Sequence, residues 1–467
     1  MDRPSKEVLA RMPLAEAVLW LWRWVTCEER MEGLWDRFRG RCYQKVLTFS
    51  TMVHLIADAL LQYGGSGRQS FENNRQSGEL LASVQAAYRK LGRLPIPLSQ
   101  AFLAEGTAAL TEAFPAWAKR DLPYSLDGFQ VVVLDGKAIK RVARRLKLLR
   151  GTGGGLLGGK ALVALDWNTG LVLAMHAHPD GEAHEVRFVP ELLPAVRQRV
   201  AGPRLWLADR AFCDLEQPRR FTSQAGDHFL VRYHPKVKFY PDPEKPERRG
   251  NTAQGQSYLE QWGWLGGPSD QRRRYVRRIR LLRPQDDLIL VTDLLDADAY
   301  PAQDLLWLYA ERWGIERVFQ QATEVFGLQG LIGGTPQACI FQFAFCLLLY
   351  NMIQVVRSYI ATGRYRPPEE ISTEKLFDDV ERQLIAWDIM CTPQATHNYF
   401  QRRLNLKTLQ ARLRVLLGST WSDTWFKSPS QSHHNKTPRK RTPTHHSVYR
   451  ILHAHCRPKR TQTAKSV

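Results

Sequence analysis

Phe129-Gln-Val-Val-Val-Leu134-Asp135-Gly136 is a short apolar run, rich in β-branched residues, that stops on an acid and a turn residue. Such a run reads as a buried strand that delivers a carboxylate at its exit. Leu205-Trp-Leu-Ala208 repeats the pattern and ends on Asp209, followed by Arg210-Ala-Phe212. Between the two lie Ala161–Leu165 and Leu171–Met175, flanking Asn168-Thr-Gly170, whose turn residues suit an antiparallel hairpin. Glu185 to Val200 then has helical periodicity. Strand, hairpin, helix and strand describe a mixed α/β domain with acids at strand ends, where such sheets usually place their ligands.

A third acid follows in Tyr309-Ala-Glu-Arg312-Trp-Gly-Ile-Glu316-Arg-Val-Phe. On one helix turning about 100° per residue, Tyr309, Arg312 and Glu316 fall within roughly 60° of one another. The opposite side, Leu308, Ile315, Val318, Phe319, Ala322 and Phe326, is apolar and suited to a core. An acid beside a phosphate-binding guanidinium suggests metal-assisted chemistry on a phosphodiester. The same residues also fit a surface helix with an ordinary Arg–Glu pair. The chain between Asp209 and Glu316 is longer than one crossover needs, which implies an inserted subdomain. Its runs His228–Tyr233, Tyr275–Leu282 and Leu288–Thr292 read as strands. Its basic cluster includes Arg273 and Arg277, which alternation would set on one face of a sheet edge. An edge strand charged against aggregation has the same appearance.

The chain has 467 residues, 44% of them apolar, enough for two or three domains with a sizeable core and not the composition of a disordered protein. Its net charge of +20 calls for a polyanionic partner, of which nucleic acid leads. The seven cysteines (27, 42, 213, 339, 346, 391, 456) have neither CxxC nor zinc spacing, and read as reduced thiols of a cytoplasmic protein. The first residues lack the apolar core of a signal peptide. Ala338–Val356 is apolar but interrupted by Gln342, Asn351 and Gln354, so a buried helix fits it better than a membrane span.

Residues 1–120 read as helices, and their scattered Arg and Lys suit a helical DNA-binding domain as well as ordinary solvated faces. Residues 125–417 form the α/β domain, with the β-rich insertion at about 215–302. From 418 to 467 apolar periodicity fades, no acid follows Asp423, and Lys and Arg recur, which predicts a disordered basic tail. Gly154-Gly-Leu-Leu-Gly-Gly159-Lys160 matches a phosphate-loop pattern. Ala161 stands where Ser or Thr would bind Mg²⁺, and a strand rather than a helix follows, so the match is a decoy.

Leu134-Asp135-Gly136, Ala208-Asp209-Arg210-Ala-Phe212 and Tyr309-x2-Arg312-x3-Glu316 together resemble the three acidic motifs of bacterial insertion-sequence DDE transposases of the IS-four branch. The resemblance spans roughly residues 30 to 360 and includes the order, the spacing and the insertion before the Glu. It implies an RNase H-like mixed-sheet catalytic core with a β-rich insertion, preceded by a helical N-terminal domain. It also implies that Asp135, Asp209 and Glu316 are catalytic and hold two Mg²⁺ ions, with Mn²⁺ able to substitute. Tyr309 and Arg312 would hold transposon-end phosphates, and Arg210, Arg273 and Arg277 would add DNA contacts. Trp262 and Trp264 would be candidates for a flipped-base platform, although paired Trp residues also suit a core or an interface. The implied reaction is metal-assisted cleavage at transposon ends, then joining of their 3′-hydroxyls to target DNA. The partner would be double-stranded DNA, with the chain a homodimer on it, cytoplasmic, at the nucleoid and away from membranes.

One position departs from the family signature: Glu-x6-Lys would put Lys at 323, where this chain has Thr323, with Arg317 nearby on the helix. That departure keeps a second reading open, a catalytically decayed or domesticated DNA-binding protein of the same fold.

Overall fold

The structure, a computed structural model, describes residues 6–42, 44–63, 66–140, 142–326, 332–401, 404–427 and 444–456. The chain opens with helices α1 (Lys6–Arg11), α2 (Pro13–Val25), α3 (Glu28–Phe38), α4 (Phe49–Leu61), α5 (Gly67–Gln76), α6 (Val84–Leu91) and α7 (Ile96–Ala113). Several start where the sequence supplies a capping oxygen: Thr48, Ser66 and Ser83 each accept from a backbone N–H three residues on.

Strands follow: β1 (Gln130–Ala138), β2 (Gly155–Leu157), β3 (Lys160–Asp166) and β4 (Val172–His178). Next come α8 (Val189–Arg197), β5 (Arg204–Ala208), α9 (Gln217–Phe221) and β6 (Asp227–Arg232). The later strands are β7 (Phe239–Pro241), β8 (Arg248–Asn251), β9 (Ser257–Leu265), β10 (Arg274–Leu281) and β11 (Leu288–Thr292). The chain then turns helical in α10 (Ala302–Glu311), α11 (Gly314–Glu324), α12 (Pro336–Gly363), α13 (Thr373–Met390), α14 (Pro393–Phe400) and α15 (Leu406–Gly418). It ends in β12 (His445–Ser447) and α16 (Val448–Cys456).

Ten strands form one mixed sheet in the order β4-β3-β1-β5-β6-β11-β10-β9-β7, with β8 also on β9. β1, β3 and β4 are an antiparallel meander, and β5 and β6 add in parallel on the other side of β1. That arrangement is an RNase H-like core. The inserted strands do not form a separate sheet: β11 pairs antiparallel with β6, so the insertion prolongs the core sheet at its far edge. Alternation along β1 sets its two faces. Val131 and Val133 face the core shared with the long helices, whereas Val132 and Leu134 join the core containing Leu192 of α8 and Phe221 of α9.

Helix α12 organises the first core. Long and apolar enough to cross a membrane, it is instead wholly buried inside the fold, packed on α7, α15, α2 and β4. The helices before residue 120 share that continuous core with α12, α13 and α15. Two of the three polar interruptions of α12 have partners, whereas both amide atoms of Gln354 are buried without one. Asn351 accepts from the backbone N–H of Val172 (2.8 Å) and donates to the carbonyl of Val172 (2.9 Å) and to Thr107 Oγ1 (2.8 Å). Gln342 accepts from the Ile332 N–H (2.8 Å). Asn351 therefore satisfies β4 at the outer edge of the sheet, where an unpaired strand would otherwise be left buried.

The expectation of a disordered tail fails for His445–Cys456. β12 pairs in parallel with β2, and Val448 is buried beside Leu149 and Leu156. Arg450 pairs with Asp180 and Glu182. A few apolar residues and one well-placed arginine are enough to seat this short segment. The expectation fails likewise for 418–427, where Trp425 is buried and Phe426 bridges to Ile371, while 428–443 and 457–467 lie outside the described residues. The glycine run is also structural. A Cβ on Gly155 would lie 2.5 Å from the His445 ring, and one on Gly154 (φ +74°) would lie 2.3 Å from the Thr444 carbonyl oxygen. These glycines let the two strands approach. Six cysteines among the described residues are free thiols.

Replacing Asn351 by Leu leaves two buried backbone groups of Val172 without partners, and is expected to destabilise the fold by about 2–4 kcal/mol. Denaturant unfolding that places Asn351→Leu within about 0.5 kcal/mol of the parent would show that the β4 edge is satisfied by other means.

Candidate active site

The register of β1 on β5 builds the site. Leu134 lies opposite Ala208 in the parallel pair, so the next residues, Asp135 within β1 and Asp209 just past the end of β5, lie side by side. Asp135 Oδ1 accepts from the Gly136 N–H (2.8 Å). Asp209 caps the short turn Arg210–Phe212 by accepting from the Ala211 N–H (2.8 Å), and Phe212 anchors that turn in the core. Gly136 is required because a Cβ there would come within 2.7 Å of the Glu185 side chain, which is ion-paired with Lys160.

The third acid arrives on two helices rather than the single one expected. α10 ends at Glu311, Arg312 and Trp313 make a turn, and α11 begins at Gly314. The apolar side of this segment is buried as its spacing predicts, at Leu308, Ile315, Val318, Phe319, Ala322 and Phe326. Despite the break, Arg312 Nη2 bonds Glu316 Oε1 at 3.1 Å, and its guanidinium lies 5.7 Å from the centroid of the Tyr309 ring.

Arg312 is the electrostatic hub of this group. Only 6% exposed, it has Nε and Nη1 buried without a hydrogen-bond partner. Burial works against its charge, but Tyr309, Asp135 and Glu316 together hold its pKa above the ordinary value. Asp135 is pushed up to about 6, first by burial and then by the Asp209 and Glu316 carboxylates, against the pull of Arg312 and the Gly136 N–H. Tyr309 is pushed up to about 12 by burial and by Asp209. Its buried hydroxyl lies near Arg312 without a well-formed hydrogen bond. Three carboxylates thus act on one another around a guanidinium with two unused donors. Glu316 is turned to Arg312, and among the described residues no three His, Cys, Asp or Glu side chains form a ready-made metal site.

The other expected DNA contacts separate into two groups. Arg210 is exposed beside Asp209, and Arg273 is half-buried with its guanidinium 3.9 Å from the centroid of the Trp264 ring. Trp264 is half-buried, edge-on to Tyr275 at 5.2 Å. Arg277 and Trp262, by contrast, are not surface groups. β10 is not an edge strand but lies between β9 and β11. Arg277 is fully buried, ion-paired with Glu260 on β9 and donating to the Tyr300 carbonyl (2.6 Å). Trp262 is 5% exposed and donates to the Leu295 carbonyl (2.8 Å). Both expectations are corrected: a buried carboxylate and a buried carbonyl use the polar atoms that DNA would need.

Arg317 is exposed, and its charge acts on Tyr350, Arg357 and Lys427, a cluster apart from the acids. Thr323 is half-buried, its hydroxyl donating to the Phe319 carbonyl (2.7 Å). Sequence reasoning overlooked Lys137, two residues beyond Asp135 on the same face of β1, although strand alternation alone points to it. A separate cavity of about 810 Å³ lies among α2, α4, α12, α13 and α14 and contains none of these residues.

Residues 127–352 match the family model described as the transposase DDE domain. The matched stretch takes in the whole ten-stranded sheet, α10, α11 and the first part of α12. Among solved structures, the chain is similar to a piggyBac transposase synaptic complex with hairpin DNA. That similarity covers 88% of each chain, at 10% sequence identity and a TM-score of 0.41. Comparison with curated protein sequences gives no match.

Because the folded chain holds the Asp135 proton more tightly than the unfolded chain does, the contribution of Asp135 to stability is intact near pH 4 and lost as pH rises through about 6. In chelator-treated protein, Asp135→Asn is expected to be more stable than the parent at pH 7.5 by about 1–3 kcal/mol. The gap should close as the pH is lowered toward 4. Equal stability at both pH values would mean that Asp135 is not crowded by the other two acids.

Proposed function

We propose that the chain is a DNA transposase that cleaves transposon ends and joins their 3′-hydroxyls to target DNA, with Asp135, Asp209 and Glu316 as its catalytic carboxylates. The observation that carries this reading is the convergence of Asp209, Glu316 and buried Arg312 on Asp135, with Asp135 and Asp209 on adjacent parallel strands of the stretch that matches the transposase DDE domain. The residues fit a divalent cation: all three donors are hard carboxylate oxygens, as Mg²⁺ prefers, and Asp209 and Glu316 both lie close enough to act on Asp135. When bound, Mg²⁺ or Mn²⁺, two ions per site, supplies Lewis-acid stabilisation of the phosphodiester oxygens.

The chain's own residues do the positioning. Arg312, with Nε and Nη1 free, donates to phosphate oxygens, and its burial strengthens that contact. Tyr309 stays protonated at neutral pH and offers its hydroxyl as a second donor. Arg210 beside Asp209, and Arg273 on the insertion, track the backbone. Trp264, with Arg273 over one face, is the better candidate for stacking on an unpaired base. The helices before residue 120 add to the basic surface that binds double-stranded DNA, on which two copies act as a dimer.

A second reading, a catalytically silent DNA-binding protein of this fold, is motivated by the Arg312–Glu316 ion pair and by Thr323. One assay separates the two: a supercoiled plasmid carrying the element's own flanking ends, incubated with Mg²⁺ and followed for excision. The wild type should excise, while Asp135→Ala, Asp209→Ala and Glu316→Ala should each lose at least about 1000-fold, the order expected for a ligand of the reacting centre. Salt-sensitive binding without cleavage in Mg²⁺ or Mn²⁺ would favour the silent reading. Full activity in any one variant would remove that residue from the catalytic set.

A further inference from the structure

We infer that Lys137 is a phosphate-binding residue of this site, contacting the backbone of the DNA strand that the acids act on. The inference rests on the reading of the acids as a DNA-processing centre and adds a residue to it. Lys137 lies two positions after Asp135 on β1, so strand alternation turns both side chains to the face against which α11 packs. Its ammonium sits 5.4 Å from the centroid of the Phe319 ring on α11, one helical turn beyond Glu316. The stem of Lys137 therefore bridges from the strand carrying the first acid to the helix carrying the third.

Its surroundings leave the ammonium available. Lys137 is half-buried, yet among the described residues no carboxylate lies within ion-pair distance of it. The three charged groups that act on it from β1, its exit and α11 are Asp135, Lys140 and Glu324. Each carboxylate is already engaged elsewhere: Asp135 accepts from the Gly136 N–H, and Glu324 accepts from Gln320 Nε2 (2.8 Å). The neighbouring Lys160 has its own partner in Glu185. A partly desolvated ammonium over an aromatic face keeps some stabilisation from the ring, but its donors still need an anion. A DNA strand held by Arg312 carries a phosphate on every nucleotide, so a cation on the neighbouring element has a further phosphate to meet. Carboxylates and phosphate repel, so a cation on the β1 side complements Arg312 on the helix side.

The test uses the full-length protein and duplex DNA of the element's terminal sequence. Lys137→Met keeps the stem over Phe319 and removes the charge, and Lys137→Arg restores a cation. Affinity is measured across a KCl series in Ca²⁺, and nicking in Mg²⁺. Lys137→Met should lower the slope of log K against log salt by about 0.9, the loss of one phosphate contact. Nicking should fall about 10- to 100-fold, with Lys137→Arg recovering most of both. An unchanged salt slope in Lys137→Met, with or without slower nicking, would overturn the inference. Wild-type protein that binds but never nicks would defeat the transposase reading instead, and the salt slope would still decide the role of Lys137.

Discussion

Everything in the site depends on one register, Leu134 opposite Ala208 in the parallel pair β1–β5. Because successive residues on a strand alternate in direction, a slip of one position would bury an acid in the α8 core and turn a leucine into the cleft. The register is held on both faces at once. Val131 and Val133 are locked against the α12 side, while Val132 and Leu134 are locked with Trp206 and Ala208 against the α8 side. A strand apolar on both faces is thus the condition for placing Asp135 beside Asp209, and the same burial raises Asp135 to about 6.

The rest of the molecule can be understood as support for that pair. α12 runs through the main core and binds the outer edge of the sheet through Asn351. Phe319 and Phe343 bring α11 against α12, which fixes where Glu316 can stand. On the other side of the sheet, the insertion prolongs the core beyond β6. Buried pairs such as Arg277–Glu260 and the Trp262 indole tie its strands together, leaving Arg273 and Trp264 less buried on the same ribbon.

The fold was readable in the sequence wherever apolar period and punctuation agreed. The runs at 129–134, 161–165, 171–175 and 205–208 are strands β1, β3, β4 and β5, and the apolar 338–356 stretch is the buried α12. The misreadings share a physical cause: a charge or an aromatic ring in sequence does not announce its partner. Arg277 looked like a surface cation because Glu260, seventeen residues earlier, is brought diagonally across from it only by the β9–β10 pairing. The tail looked structureless because Val448 and Arg450 find Leu156, Asp180 and Glu182 only once the earlier chain has folded. The break at Arg312–Trp313 was hidden because Tyr309, Arg312 and Glu316 satisfy a helical stripe either way. The local cue was Gly314, where a helix interrupts at little extra cost.

That break has a consequence for the proposed chemistry. A continuous helix would hold Arg312 and Glu316 as an exposed pair one turn apart, of small energetic weight. Placed in a turn between α10 and α11, the guanidinium is instead buried among Tyr309, Asp135 and Glu316, with two donors unused. A buried cation with spare donors and a single bonded carboxylate is costly as it stands, and an arriving phosphate relieves it by taking Nε and Nη1. Glu316, whose side chain is 39% exposed, is the one carboxylate that Arg312 already bonds.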